Sequence, residues 1–525
     1  MNRTVLVLVA ALGILFSRGH SARAANVLTN PGFELDPSPG TENLAGWNTY
    51  GLYTYSESDT NAHTGTNYFK VYQTFSGSVN YSGIYQDYIS GPGATYTADG
   101  WAFSLSSDVL AGQNVAWIEV TFRDANANVL ALYRSSLINT NAIRSGGFPP
   151  STWIDLPVTN QYNPNNDVIT NTSTTLVAPA GTYFVRYQIV FEGDAAYSAG
   201  SVYFDDLNLT PTGAAPYGNW NIVWSDEFNT NTINTNVWTY DIGAGGWGNN
   251  ELEYYTSRPT NAYVSGGLLH IAARIESYDG QNFTSARMKS EGLASWLYGR
   301  FEWRARLPQG TGFWPALWLL GTNITSVGWP GCGEMDVMEN SGDALTNVQG
   351  SLHSGSDETA VYTFPGNDSV TNFHNYVLDW STNSFLFYVD GHLYELQTNW
   401  SSSLGAAYPA PFNKPCFIIM NLAVGGNYVG NPSSTTISAN GGFPGELQVD
   451  YVRVYNVTAP LKISVVHTNQ DILVTAPTNI VCHLQAQYDP VANGIGTNWS
   501  DLTVSSNITL INPTNATVFY RVKSP

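Results

Sequence analysis

The segment GEMDVMEN, at residues 333–340, constrains the fold more than any other part of this chain. Its three carboxylates are Glu334, Asp336 and Glu339, and the residues between them, two methionines and a valine, are apolar. Side chains alternate between the two faces of a β-strand, so Glu334 and Asp336 share a face while the apolar residues need a buried one. Glu339 would point away unless a β-bulge near Val337 and Met338 shifts the alternation. The pattern therefore predicts a bulged strand with one buried face and three carboxylates on the other.

Two facing carboxyl groups suit glycosidic bond hydrolysis, in which one donates a proton and the other acts as nucleophile or base. In a bulged strand the Cα atoms of Glu334 and Glu339 would lie roughly 13 Å apart. Long side chains could close this to the about 5–5.5 Å of a retaining pair, whereas about 6.5–9.5 Å would fit inversion. The spacing leaves both mechanisms open. The alternative to a catalytic strand is a solvated acidic surface. Such a surface would not need the apolar residues between the carboxylates, which require a buried face.

Aromatic residues flank the acidic segment. Trp314 and Trp318, in GFWPALWLLG, are four residues apart and share a strand face, and Trp329 directly precedes the acidic strand. Aromatic rings bind the apolar faces of sugars, with core packing as the alternative for each tryptophan. His353, in GSLHSG on the next expected strand, is a candidate ligand contact, and a structural role is its alternative.

The composition favours β-structure and a neutral partner. Of the 525 residues, 11% are charged and 13% are aromatic, and the net charge is −20. Abundant Thr, Asn, Ser and Gly predict many short strands and turns rather than helices. Because phosphate binding requires a basic surface, nucleic acid is not an expected partner, and a neutral polysaccharide fits better. The length allows about three domains.

The N-terminus has the pattern of a secretory signal. Arg3 precedes an apolar stretch at residues 5–16, and residues 22–24 read ARA, which is typical of a cleavage site. We therefore expect a signal peptide at residues 1–24 and a secreted protein, located extracellularly, at the cell surface or in the periplasm. No other stretch of the sequence is long and apolar enough to span a membrane.

The three cysteines, Cys332, Cys416 and Cys482, form no metal-binding pattern. Cys332 and Cys416 could pair if their strands are neighbours. We nevertheless expect all three to be free, buried thiols.

Ten segments between residues 218 and 457 occur in an order that is specific as a set. They are WSDEFN, GGWGNNELEYYT, SARMKSEG, YGRFEWRARLP, GFWPALWLLG, WPGCGEMDVMEN, FHNYVLDW, FYVDG, NLAVGGN and VDYVRVY. Together they resemble the catalytic module of glycoside hydrolase family 16, and most closely its laminarinase branch. The resemblance implies a β-jelly-roll sandwich with a concave cleft and a retaining mechanism. It also implies Glu334 as nucleophile, Glu339 as acid/base, and Asp336 as the residue that orients the nucleophile.

The resemblance further implies a set of substrate-binding residues, which are Asn249, Glu251, Arg287, Trp314, Trp318, Trp329, His353 and Asn421. NLAVGGN is followed by Tyr428, where the laminarinase-like pattern has tryptophan. A structural calcium is implied on the convex face, with Asp450 as side-chain ligand and carbonyl oxygens near Glu227 and Gly267 completing the shell. No cofactor is expected for catalysis. Repulsion among the three carboxylates is expected to raise the pKa of one of them, which would be the acid.

Two regions flank the catalytic segment at 218–457. Residues 25–211 open with NVLTNPGFE and close with SVYFDDLNLT, phrases that resemble a jelly-roll carbohydrate-binding module. Trp47, Tyr50 and Tyr53 could stack on sugar there, with core packing as the alternative. The linker at residues 212–217 is rich in Pro, Gly and Ala, and residues 459–525 read as a small C-terminal β-module for attachment, sorting or glycan binding.

The sequence thus predicts an all-β, monomeric, endo-acting retaining hydrolase of laminarin-like β-1,3-glucan. Mixed-linkage β-1,3-1,4-glucan, or a galactan such as agar, is the alternative substrate within the same fold. A glycan-binding protein on an inactive hydrolase fold is the alternative from another class. Such proteins typically lack a catalytic glutamate, whereas Glu334 and Glu339 are both present here.

Overall fold

The computed structural model describes residues 25–35, 44–51, 54–58, 60–163, 165–212, 220–430 and 443–457, together with six separate strands between residues 464 and 523. The predicted signal peptide and most of the predicted linker lie outside the described residues. The described chain is almost entirely strand and turn, with α1 (Thr140–Arg144), α2 (Ile324–Val327) and a 3-10 turn at Gly246–Gly248. No helix in these ranges is long and apolar enough to cross a membrane.

The N-terminal region is a sandwich of two antiparallel sheets. Its strands are β1 (Asn48–Tyr50), β2 (Thr54–Ser58), β3 (Asn67–Val71), β4 (Asn80–Ile89), β5 (Thr95–Phe103), β6 (Val115–Arg123), β7 (Val129–Arg134), β8 (Ile138–Asn139), β9 (Ile154–Asp155), β10 (Asn160–Tyr162), β11 (Ile169–Thr172), β12 (Leu176–Val177), β13 (Phe184–Gly193) and β14 (Val202–Pro211). One sheet runs β1–β4–β13–β6–β7, and the other runs β12–β5–β14–β3–β2. Phe69, Ile118 and Phe204, each fully buried, belong to the core of this sandwich.

A second sandwich follows, and it carries the acidic motif. Its strands are β15 (Trp220–Asp226), β16 (Thr239–Asp241), β17 (Glu253–Tyr255), β18 (Ala262–Ser265), β19 (Leu268–Tyr278), β20 (Gln281–Ser285), β21 (Arg287–Lys289), β22 (Gly299–Arg306), β23 (Phe313–Gly321), β24 (Glu334–Glu339), β25 (Asn347–His353), β26 (Asp357–Thr363), β27 (His374–Trp380), β28 (Phe385–Val389), β29 (His392–Gln397), β30 (Cys416–Val424) and β31 (Gly445–Val457). One sheet runs β19–β31–β22–β27–β28–β29. The facing sheet runs β16–β21–β30–β23–β24–β25–β26.

The alternation of side chains explains how the second sandwich closes. On β23, Leu317 and Leu319 are fully buried in the core, whereas Trp314 and Trp318 lie on the opposite face. Met335 of the acidic strand joins the same core. This two-sided pattern gives the seven-stranded sheet an apolar back and a face that carries aromatic and acidic residues.

The predicted β-bulge is present in β24. Asp336 pairs with Trp318 and Met338 pairs with Leu317, so Val337 is an extra residue without a partner on β23. The register with β25 shifts at the same place. Because one residue is added, Glu339 returns to the face that Glu334 and Asp336 occupy, as the sequence predicted.

The two sandwiches are in direct contact through their sheets. His392 of β29 pairs with Tyr88 of β4, and the backbone N–H of Ile89 donates to the carbonyl of Gly391 at 2.6 Å. An apolar cluster between them includes Phe184 and Leu386, both fully buried. The sheet hydrogen bonds therefore continue from the first sandwich into the second.

Six strands are described in the C-terminal region: β32 (Ser464–His467), β33 (Ile472–Thr475), β34 (Cys482–Tyr488), β35 (Ser500–Ser505), β36 (Ile508–Ile511) and β37 (Val518–Lys523). They form two three-stranded sheets. The domain limits drawn from the sequence stay predictions. Cys332 and Cys416 are free and buried, as predicted, and the side chain of Cys482 lies outside the described residues.

Candidate active site

A cleft with a volume of about 650 Å³ lies on the aromatic and acidic face of the seven-stranded sheet. All eight residues that the sequence proposed as substrate contacts line it, which are Asn249, Glu251, Arg287, Trp314, Trp318, Trp329, His353 and Asn421. The three carboxylates of β24 line it as well. Trp329 is 58% exposed and stands at 5.9 Å from the His353 ring, so it offers an open aromatic surface beside the acidic strand.

Strand pairing places one polar residue opposite each carboxylate. Along β25, His353 pairs with Glu334, Ser351 pairs with Asp336, and Gln349 pairs with Glu339. Directly opposite residues share a sheet face, so all of these side chains border the cleft. Each carboxylate therefore has a distinct environment, although the three lie within six residues of one another.

His353 is one of two cationic groups of the site, together with Arg287. Its Nε2 lies 3.2 Å from Asp336 Oδ2, and its Nδ1 lies 2.9 Å from Asp357 Oδ1. These two carboxylates raise the pKa of His353 to about 10 despite its partial burial. Ligand atoms of Glu334, Asp336 and His353 lie within 4.8 Å of one another, a spacing that a metal ion could use. In its protonated form His353 has no free lone pair to offer a metal ion.

Glu339 has two neutral donors. Trp314 Nε1 donates to its Oε1 at 2.9 Å, and Gln349 Nε2 donates to its Oε2 at 3.2 Å. Burial, and then the charge of Asp336, raise the pKa of Glu339 to about 7, while both hydrogen bonds lower it. A carboxyl group with this pKa can donate a proton near neutral pH.

Glu334 lies near two cations. Burial, followed by the charge of Asp336, raises its pKa well above the usual value, and the charges of His353 and Arg287 act in the opposite direction. Burial also raises the pKa of Asp336. Repulsion from Asp336 raises the pKa of Glu339, as expected, but it also raises that of Glu334, and burial is the larger cause for all three groups. The neighbouring groups of the two glutamates differ: two cations oppose the rise in the pKa of Glu334, and two neutral hydrogen-bond donors oppose the rise in the pKa of Glu339.

A chain of hydrogen bonds holds the floor of the cleft. Trp318 Nε1 donates to Asn421 Oδ1 at 2.8 Å, and Asn421 Nδ2 donates to the Tyr255 hydroxyl at 3.2 Å. That hydroxyl donates to Glu251 Oε2 at 2.8 Å. The Arg287 guanidinium lies 4.7 Å from the Trp318 ring centroid. Several proposed substrate contacts therefore support one another before any ligand binds.

Trp247 and Gln349 are among the cleft residues that sequence reasoning missed. Gln349 is two and four residues before Ser351 and His353, so strand alternation could have placed it on the same face. Trp247 sits in the 3-10 turn with φ 47°, and no periodicity signals that conformation. Tyr428, the departure from the laminarinase-like pattern, lines the cleft with its ring centroid 5.2 Å from that of Trp314.

The residues proposed for calcium are engaged with arginine. Asp450 Oδ2 lies 2.5 Å from Arg304 Nη1, and both oxygens of Glu227 accept from Arg453, at 2.9 and 2.8 Å. A calcium ion bound there would compete with these ion pairs. The calcium site, including Gly267, stays a prediction.

An aromatic cleft, crossed by a strand that carries one glutamate beside two cations and another beside two neutral donors, has the features of a two-carboxylate glycosidase site. Residues 247–453 match the family described as glycosyl hydrolases family 16. The chain belongs to this family.

Two similar proteins support that assignment. A beta-glucanase from Rhodothermus marinus is 41% identical over 254 residues, which cover 45% of this chain and 85% of the relative. A glucan endo-1,3-beta-glucosidase from Cryptopygus antarcticus is 39% identical over 256 residues, which cover 46% of this chain and 93% of the relative. The solved catalytic domain of an endo-1,3-beta-glucanase (laminarinase) from Thermotoga petrophila is 40% identical, with a TM-score of 0.41 over 46% of this chain and 98% of that domain.

Proposed function

We propose that this protein is a secreted, endo-acting, retaining hydrolase of β-1,3-glucan. The observation that carries the proposal is the bulged strand β24, which directs Glu334 and Glu339 to one face with different partners. An open cleft lets a chain bind across its middle, which suits internal cleavage. The β-1,3 linkage follows the relatives named as endo-1,3-glucanases, and secretion follows the signal pattern at residues 1–24.

In the proposed mechanism each carboxyl group has one role. Protonated Glu339 donates its proton to the glycosidic oxygen while the Glu334 carboxylate attacks the anomeric carbon, so the C–O bond to the leaving sugar breaks as the C–O bond to Glu334 forms. Glu339, now a carboxylate, then removes a proton from water, which attacks the same carbon and releases Glu334. Asp336, paired with cationic His353, stands between them and orients Glu334.

The first experiment follows products over time from laminarin, curdlan, lichenan and agarose. We expect a ladder of short oligosaccharides from laminarin and curdlan, with little product from agarose. If lichenan or agarose is cleaved instead, the assignment of the catalytic pair stands, and the substrate is mixed-linkage glucan or galactan rather than β-1,3-glucan. Binding of laminarin without new reducing ends would favour the inactive glycan-binding alternative.

The catalytic roles are tested with Glu334→Gln and Glu339→Gln, which preserve side-chain shape. Each should lower kcat on laminarin at least about a hundredfold, because each removes a group that acts on the reacting atoms. Circular dichroism and thermal unfolding should match the wild type. Near-wild-type turnover by either variant would contradict the assignment of that residue.

We further propose that the N-terminal sandwich binds glycan through a groove on its β1–β4–β13–β6–β7 sheet. The groove has a volume of about 370 Å³ and is lined by Tyr50, Tyr81, Tyr85 and Trp117, among others. Tyr81 is 51% exposed. Of the three aromatic residues proposed from sequence, Tyr50 lines this groove and Tyr53 lies outside the described residues. Trp47 packs in the core with its Nε1 donating to Asn30 O, so the core-packing alternative holds for it.

A further inference from the structure

We infer that the cavity between the two sandwiches is an additional binding site for the glucan chain and joins the catalytic cleft to the N-terminal groove. The inference rests on the proposed function, because it takes the same neutral polysaccharide as ligand. This cavity, called the bridging cavity below, has a volume of about 910 Å³. Its catalytic-side wall consists of residues 361–366 and 392–396, and its N-terminal wall includes Tyr85, Asp87 and Arg186.

Strand register connects the bridging cavity to the catalytic cleft. Glu339 pairs with Gln349, and Gln349 pairs with Val361 of β26, the last strand of the seven-stranded sheet. Two strand spacings separate the Cα atoms of Glu339 and Val361 by roughly 10 Å. Thr359 lines the catalytic cleft, and Val361, two residues further on the same face and 57% exposed, lines the bridging cavity. A glucan that crosses β26 therefore passes from one to the other.

Shared residues connect the bridging cavity to the N-terminal groove. Tyr85 and Arg186 line both. The Arg186 guanidinium lies 3.7 Å from the Tyr85 ring centroid and donates to both oxygens of Asp87 at 2.7 Å. The Tyr85 ring is thus held in place by a paired cation, which gives a sugar a rigid aromatic contact at the junction.

A buried polar group in the bridging cavity lacks a partner. Glu395 is 6% exposed, and its Oε1 accepts from Gln397 Nε2 at 3.1 Å. Among the described residues, no hydrogen-bond partner contacts Glu395 Oε2. Burial raises the pKa of this carboxyl group to about 7, so the group can both donate and accept near neutral pH. A sugar hydroxyl matches either state, and its hydrogen bond would satisfy an atom that is otherwise costly to bury.

The lining favours a neutral sugar over an anion. Arg186 is neutralised by Asp87, and Glu395 would repel an anionic group when it is ionised. The partly exposed rings of Tyr85 and Tyr362 border the cavity and supply apolar surface for pyranose rings. Aromatic surface combined with a few polar groups is the chemistry that binds uncharged oligosaccharides.

The test compares kcat/KM of the full chain for laminaridecaose and laminaripentaose. A decaose can extend from the cleft into the bridging cavity, so the wild type should prefer it. Glu395→Leu and Tyr85→Ala should each lower the decaose-to-pentaose ratio at least about fivefold. Leucine has a similar volume and removes a poorly satisfied polar group, so the fold should tolerate it. Tyr197→Ala, at a tyrosine that is 59% exposed and lines neither cavity, is the matched control and should keep the wild-type ratio.

If Glu395→Leu keeps the wild-type decaose-to-pentaose ratio, glucan does not bind in the bridging cavity. This holds even if Tyr85→Ala lowers the ratio, because Tyr85 also belongs to the N-terminal groove. Hydrolysis of neither oligosaccharide would instead refute the proposed function. In that case calorimetry with laminaridecaose decides the inference independently. Equimolar binding that Glu395→Leu weakens supports the bridging cavity, whereas equal affinity for the two chains, or two decaose molecules per chain, contradicts it.

Discussion

Glu339 lies in a nearly dry environment, and two neighbours lower its pKa. Burial raises its pKa to about 7, while Trp314 and Gln349 lower it by donating to the carboxylate oxygens. A hydrogen bond to the charged form favours that form. In the proposed mechanism, the loss of activity at high pH therefore depends on Gln349 as well as on Glu339.

Gln349→Leu should raise the pKa of Glu339, because the carboxylate loses a donor and keeps its burial. A general acid works while protonated, so kcat/KM falls as pH rises through its pKa. The falling limb, expected near pH 7 in the wild type, should shift to higher pH in the variant. A pH series of kcat/KM on laminarin measures this shift.

Ser351→Ala is the control for that series. Ser351 is the next cleft-facing residue on β25, and its hydroxyl lies 3.1 Å from that of Thr359 rather than on Glu339. Its pH profile should match the wild type. A falling limb that stays in place or moves to lower pH in Gln349→Leu would show that Gln349 does not stabilise the Glu339 carboxylate.

At the scale of single residues, the sequence predicted best where chemistry and spacing coincided. Three carboxylates between apolar residues identified the acidic strand. Gln349 was missed because a glutamine in a strand carries no chemical signal of its own. Trp47 shows the opposite limit: an aromatic residue can stack on sugar or fill a core, and only the surrounding chain, here Asn30 and its neighbours, decides.

At the scale of the element, the bulge in β24 accommodates one extra residue, so the side chains beyond it keep the faces they would have in a regular strand without that residue. Val337 is the unpaired residue, and it is buried in the core. Without it, the order Glu334, Met335, Asp336, Met338, Glu339 would alternate strictly, and the three carboxylates would still share a face. The sequence could predict this bulge because the residue types demand a buried back and a common acidic face.

Deletion of Val337 should therefore lower kcat by about tenfold to a hundredfold and leave substantial activity. The strand becomes regular, and the three carboxylates stay on the cleft face. Insertion of an alanine after Val337 is the matched opposite, since it should turn Glu339 into the core and abolish turnover. Both are measured as kcat on laminarin, after thermal unfolding has confirmed a folded chain. Equal inactivity of two folded variants would contradict this role of the bulge.

At the scale of the whole molecule, the N-terminal sandwich carries a groove and the second sandwich carries the catalytic cleft. The motifs of residues 218–457 predicted the second sandwich well, because strand alternation and motif order both point to it. The contact between the sandwiches was not predictable, since it depends on β4 and β29, about 300 residues apart, and no local pattern records such a pairing.

Tyr81→Ala should weaken adsorption to insoluble curdlan, because it removes an exposed ring from the N-terminal groove. Loss of one stacking ring should lower the partition to curdlan about threefold to tenfold. Activity on curdlan should fall by more than activity on soluble laminaripentaose, because surface attachment raises local concentration only on the solid. Tyr197→Ala should adsorb normally. Equal adsorption of Tyr81→Ala and the wild type would argue against the groove.

The contact of Tyr88 and Ile89 with Gly391 and His392 also has a mechanical meaning. When one sandwich grips a solid fibre and the other cuts it, the pull between them passes through backbone hydrogen bonds and a packed apolar cluster. Such an interface resists relative motion of the two sandwiches, whereas a flexible linker alone would let the catalytic sandwich move freely. If the N-terminal groove binds the polysaccharide as proposed, the bound stretch stays at a fixed distance from the catalytic cleft, and cleavage occurs at a set interval from the point of attachment.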